Sequence, residues 1–138
     1  VSPRSAQEFG KPTTGAGNDE GPVSLSVSPG EIPVGEELAR LGTGLYVGNL
    51  WYTNCSDRAA CRITGMTRFA TFWVEGGEIV APVNVMRFDE TLDGLLGDGL
   101  EGLSAHAAFQ PSNMTYEQRA VESTRIPGAL VRGMRFTL

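Results

Sequence analysis

Val23, Leu25 and Val27 alternate with Ser24, Ser26 and Ser28, the two-residue period of a half-buried strand, and Pro29-Gly30 predicts a turn that closes it. Val34, Leu38 and Leu41 fall on one face of a short helix over Val34 to Leu41, with Glu36-Glu37 in the first turn, where the helix dipole favours negative charge. Gly42 and Gly44 end it. Leu45 to Trp51 reads as a strand running into a polar loop at 51 to 62. The clearest strand signal is Met66 to Glu75: Phe69, Thr71 and Trp73 share one face and Ala70, Phe72 and Val74 the other, so both faces are expected to be covered and Trp73 to be buried. Gly76-Gly77 supplies the positive φ angles of a two-residue hairpin, and Glu78 to Val85 returns beside that strand. Pro82, lacking an N–H, places the return strand at an edge or a bulge.

Asp89 to Leu96 predicts a second short helix, held short by the glycines at 94, 97, 99 and 102. Leu103 to Ile126 shows no clear period. Leu130-Val131 and Met134 to Leu138 read as one bent strand or two short ones tied into a sheet. Val1 to Pro22 has no periodic face and is expected to be an irregular entry segment, with 23–138 forming a single β-rich domain. The fold class is α+β, mainly antiparallel β with sandwich- or barrel-like sheet packing and two short helices. A strand apolar on both faces needs a second layer, which two such helices supply only in part.

Composition narrows this picture. The 138 residues, 41% of them hydrophobic, suffice for one core, and Gly 18 with Pro 8 favours turns between short strands over long helices. A net charge of -5 offers no polycationic surface for phosphate backbones, so nucleic-acid binding is not expected. No apolar run has the length of a membrane span and Val1-Ser2-Pro3 does not open a signal peptide, so the expectation is a cytoplasmic, membrane-free protein.

Cys55 and Cys61 admit three readings: a small disulfide loop, a zinc half-site lacking at least two ligands, or free thiols. His106 is the single histidine and sits among small apolar neighbours, more in keeping with a structural role than with a catalytic base. No G-x-S-x-G elbow occurs. Gly10 to Gly17 has its Lys11 in the wrong order for a phosphate loop, and Asp89, Glu90 and Asp93 lack the spaced ligands that calcium needs. No catalytic or metal-binding residue is therefore assigned. Trp51-Tyr52-Thr53-Asn54, opening a polar loop that contains Arg58, instead places aromatic surface beside hydrogen-bonding groups. Trp51, Tyr52, Asn54 and Arg58, with Arg68 further on, are the candidate peptide or partner contacts.

In serial order, Glu36-Glu37-Leu38, Gly44-Leu45-Tyr46-Val47, Thr64-Gly65 with Arg68, Phe72-Trp73-Val74-Glu75-Gly76-Gly77-Glu78-Ile79 and Pro82-Val83 resemble the C-terminal domain of the TldD/PmbA family. That family is also described as modulators of DNA gyrase. Pro12-Thr13-Thr14-Gly15 and Pro29-Gly30 resemble the entry to that domain. The resemblance implies the C-terminal portion of a larger protein, within a two-subunit zinc metallopeptidase that admits unfolded or short peptides to an internal cavity.

It also implies a metal held by an upstream H-E-x-x-x-H helix and by a cysteine near the domain's end. The cysteine is expected around Glu117 to Glu122, and that stretch contains none. The chain is thus more like the PmbA-type (TldE-type) subunit lacking the metal centre, with zinc expected only in a catalytic homologue or partner subunit. The expected partner is a TldD/PmbA-like subunit in a homo- or heterodimer, with peptide as the possible substrate. A stand-alone binding module and part of an active zinc metallopeptidase are the alternatives.

Overall fold

The computed structural model describes residues 3–13, 24–112 and 122–138. In chain order the elements are α1 (Pro3–Phe9), β1 (Ser24–Ser26), α2 (Glu37–Leu41), β2 (Gly44–Val47), β3 (Leu50–Asp57), β4 (Arg62–Thr67), β5 (Thr71–Glu75) and β6 (Glu78–Pro82). β7 (Arg87–Thr91), a π-helical turn (Gly94–Asp98), β8 (Leu100–Pro111), β9 (Ser123–Val131) and β10 (Phe136–Thr137) follow. Two compact units are present, one of residues Val1–Ser28 with Ala107–Ile126, the other of Pro29–His106 with Pro127–Leu138.

The larger unit contains two antiparallel sheets, ordered β10-β7-β4-β3 and β2-β5-β6. In the second of these, β5 and β6 form the expected hairpin, with Glu75 opposite Glu78 around Gly76 and Gly77 at φ 58 and 86°. The turn is anchored as well as permitted: the Gly77 N–H donates to the Gly42 carbonyl at 2.7 Å, just past the end of α2, and the Gly76 N–H to the Thr43 hydroxyl at 3.3 Å. Pro82 lies on edge strand β6 opposite Phe72, where its missing N–H costs little, and a register shift falls between Trp73 and Val74.

Packing corrects the strand's details. Ala70 at φ 54° interrupts the extended run, so β5 begins at Thr71 and Phe69 is exposed rather than a core residue. Val74 is the side chain fully enclosed, at 0% exposure. Trp73 is half-buried, its indole N–H donating to the Glu75 carboxylate at 2.7 Å.

The core of the four-stranded sheet is built on its other chemistry. Phe88 is buried and meets Phe136 edge to face at 6.4 Å between ring centroids. Gly65, opposite Phe88, leaves room for that ring: a Cβ there would lie 2.9 Å from its edge and 3.1 Å from the Trp51 carbonyl. Thr67 is fully buried, with its hydroxyl accepting the Met86 N–H at 3.0 Å.

The expectation of two short helices is corrected to three helical segments among the described residues, and neither a closed barrel nor a sandwich is established. Pro3–Phe9 is helical within the stretch expected to be irregular. α2 starts only at Glu37, because Gly35 at φ 88° lies outside helical space and Val34 stays exposed. Asp89 to Thr91, expected as helix, belongs to β7, whose hydrogen-bonded partner β4 outweighs a weak local helix pattern; the helical turn starts at Leu92 and is π-helical over Gly94–Asp98, with Leu95 buried. The stretch from Leu103 to Ile126 holds most of β8 and the start of β9.

Within the smaller unit, β1 pairs parallel with β9, Ser24 opposite Ser123 through Ser26 opposite Arg125. Leu25 and Val27, expected to be half-buried, are exposed. The guanidinium of Arg125 sits 5.9 Å from the centroid of the Phe109 ring.

Candidate functional site

Among the described residues β3 is an edge strand, and every one of its residues is exposed. The loop expected at 51 to 62 is therefore corrected to the end of a β-hairpin: β3 continues to Asp57 and β4 begins at Arg62. Asp57 makes the turn, its carboxylate accepting the N–H groups of Ala59 at 2.9 Å and Ala60 at 3.2 Å.

Trp51 stands opposite Met66 and Asn54 opposite Thr64, so Tyr52 and Thr53 together face Gly65 alone. This bulge turns the backbone out, with Tyr52 at φ 54°. Tyr52 is 71% exposed, a degree that leaves its ring free for contact rather than for the core. The Asn54 amide donates to the Tyr52 carbonyl at 3.0 Å and steadies the bulge.

Arg68 follows β4 and is pinned back on β3's approach by its N–H, which donates to the Asn49 carbonyl at 3.2 Å. Its guanidinium lies 4.3 Å from the Trp51 ring centroid and 5.8 Å from that of Phe69. Trp51 and Phe69 remain 49% and 65% exposed, so the cation is within reach of both aromatic faces without being enclosed. The arrangement offers flat aromatic faces, a guanidinium and an open strand edge, which suits an extended peptide better than a small molecule.

Of the five residues singled out by sequence, the structure brings Trp51, Tyr52, Asn54 and Arg68 to one end of the hairpin. Arg58 lies at the other end, in the turn, where its carbonyl accepts the Cys61 N–H at 3.3 Å. Phe69 was missed as a surface residue, because its alternation with Thr71 and Trp73 is the same signal a core strand gives. Cys55 and Cys61 are free and exposed on the hairpin, and His106 is exposed on β8.

A family model described as the PmbA/TldA metallopeptidase C-terminal domain matches residues 1–138. No curated protein and no solved structure matches the chain. Zinc, the metal the metallopeptidase name implies, does not fit the donors present. Two exposed thiols share a hairpin, the single imidazole sits on a different sheet, and among the described residues no three His, Cys, Asp or Glu side chains are grouped to hold an ion. Among the described residues no helix is long and apolar enough to cross a membrane.

Proposed function

The chain belongs to the PmbA/TldA metallopeptidase C-terminal domain family, and we propose that it is a non-catalytic, peptide-handling domain of a TldD/PmbA-like assembly. It lines the peptide cavity and contacts a second subunit, in the manner of the PmbA-type partner. The observation that carries this reading is the exposed cluster of Trp51, Arg68 and Phe69 beside the open edge of β3. A strand edge binds extended backbone by hydrogen bonds common to all sequences, and aromatic faces add affinity with little demand on side-chain identity. Both properties suit unfolded peptides.

Binding of an unstructured fluorescent peptide to the purified full-length protein tests the reading. Trp51→Ala and Arg68→Ala should each weaken binding several-fold while leaving the melting temperature nearly unchanged, since exposed substitutions usually alter stability by no more than about 0.5 kcal/mol. Equal binding by parent and variants would remove this surface from peptide handling. Metal analysis of the same protein tests the non-catalytic part: stoichiometric zinc with a ligand from residues 103–126 would make the chain part of an active peptidase.

A further inference from the structure

The four-stranded sheet has a face remote from Phe88 and Phe136, and one row across it is unusual. Trp51 on β3 is opposite Met66 on β4, Met66 is opposite Arg87 on β7, and Arg87 is opposite Thr137 on β10. Cross-strand partners point to the same face, so all four side chains share it. On that face Thr64, Arg87, Asp89 and Thr137, with Arg135 beside them, line a half-open cleft of about 360 Å³.

The charges around the cleft are nearly all matched. Asp89 is paired with Arg62 at 3.2 Å and accepts the Ser56 hydroxyl at 3.4 Å; Arg135 is paired with Glu90 at 3.0 Å. Arg87 has no ion-pair partner among the described residues, and its cross-strand neighbours are the uncharged Met66 and Thr137. Among the described residues the cleft thus presents one guanidinium without an ion-pair partner, with Thr137 on its wall. The Thr64 hydroxyl is already engaged with the Phe88 carbonyl at 2.9 Å.

We propose that Arg87 and Thr137 bind a carboxylate group of the peptide, an inference that rests on the peptide-handling reading above. A guanidinium fork matches a carboxylate with two parallel hydrogen bonds. A single negative charge completes the balance, whereas a second charge, as on a phosphate monoester, would face Asp89. Arg87 lies two strands from Trp51, roughly 10 Å at ordinary strand spacing. A peptide held against Trp51 and the β3 edge can pass a carboxylate over Met66 to reach it. The carboxylate belongs either to the peptide's C-terminus or to an acidic side chain.

Three versions of one unstructured peptide separate these sources in titrations with the purified full-length protein: a C-terminal amide without acidic residues, the same peptide as free acid, and the amide with one internal Glu. At least one carboxylate-bearing version should bind about tenfold more tightly than the neutral amide, the scale of a hydrogen-bonded charge pair. Arg87→Gln should abolish that difference and leave binding of the amide unchanged. Arg87→Lys keeps the charge without the fork and should retain only part of the difference, a check independent of any folding defect in the first variant. The version that gains identifies the source. Equal binding of all three peptides, or a preference that survives Arg87→Gln, overturns this inference alone. Failure of every peptide to bind overturns it together with the peptide-handling reading.

Discussion

The Ser104 hydroxyl accepts the backbone N–H of Gly128 at 2.9 Å while donating to the His106 carbonyl at 2.8 Å. Ser104 is buried, and its own carbonyl accepts the Gly30 N–H at 2.9 Å, so one small residue joins three chain segments. Ser104→Ala leaves the Gly128 N–H without its partner and should destabilise the protein by about 1–3 kcal/mol. Urea unfolding measures this, and a loss under half a kcal/mol would show that water replaces the hydroxyl.

Thr71 presents the opposite case. Its side chain is buried, yet the hydroxyl oxygen has no hydrogen-bond partner among the described residues. Thr71→Val keeps the shape and removes the polar group, and should stabilise by roughly 1 kcal/mol. The expected observation is a higher unfolding midpoint at unchanged denaturant slope. A lower midpoint would mean that the hydroxyl is hydrogen-bonded in solution.

Val74 and Trp73 should rank against their sizes. Val74 is wholly enclosed, and truncation to Ala should cost about 2–3 kcal/mol. Trp73→Ala should cost less than the roughly 3–5 kcal/mol typical of a buried aromatic, because half-burial leaves less area to lose. Thermal melts of the two variants compare them directly, and a Trp73→Ala protein that fails to fold would place that indole in the core.

The Arg135 guanidinium and backbone N–H both bind the Glu90 carboxylate, at 3.0 and 3.2 Å, and hold its pKa below the usual carboxylate range despite an opposing effect of burial. A carboxylate lowered in the folded state adds stability that is fully present above its unfolded pKa and fades as pH falls through the folded value. Glu90→Gln should therefore reduce stability at neutral pH and flatten the acid side of the stability curve below about pH 4.3. Parallel pH-dependent melts of parent and variant that stay separated by a constant amount would contradict the linkage.

Local patterns made the hairpin legible because each of its parts is local: apolar alternation, paired glycines and a proline confined to an edge. The same reasoning misplaced Asp89 to Thr91, where the strand depends on a partner two dozen residues earlier and no local residue announces it. It also failed along β8, whose glycine and alanine positions carry almost no apolar contrast between faces. At the candidate site, aromatic and polar composition was enough to single out Trp51, Tyr52 and Asn54. The cluster itself was not legible, because pairing Arg68 with Trp51 requires the register of β3 on β4. Arg87 was missed for a related reason: among the described residues its want of an ion-pair partner is visible only when the cross-strand neighbours are known.

The parallel ladder between β1 and β9 has a kinetic consequence. Ser24 meets Ser123 across most of the sequence, so this contact closes a very long loop in return for few hydrogen bonds, whereas β5 and β6 need close only a two-residue turn. During synthesis the hairpin can assemble as soon as Pro82 has emerged, but β1 must wait for β9. Hydrogen exchange should accordingly find the amides of β1 among the last to become protected on refolding and among the first to open in the native protein.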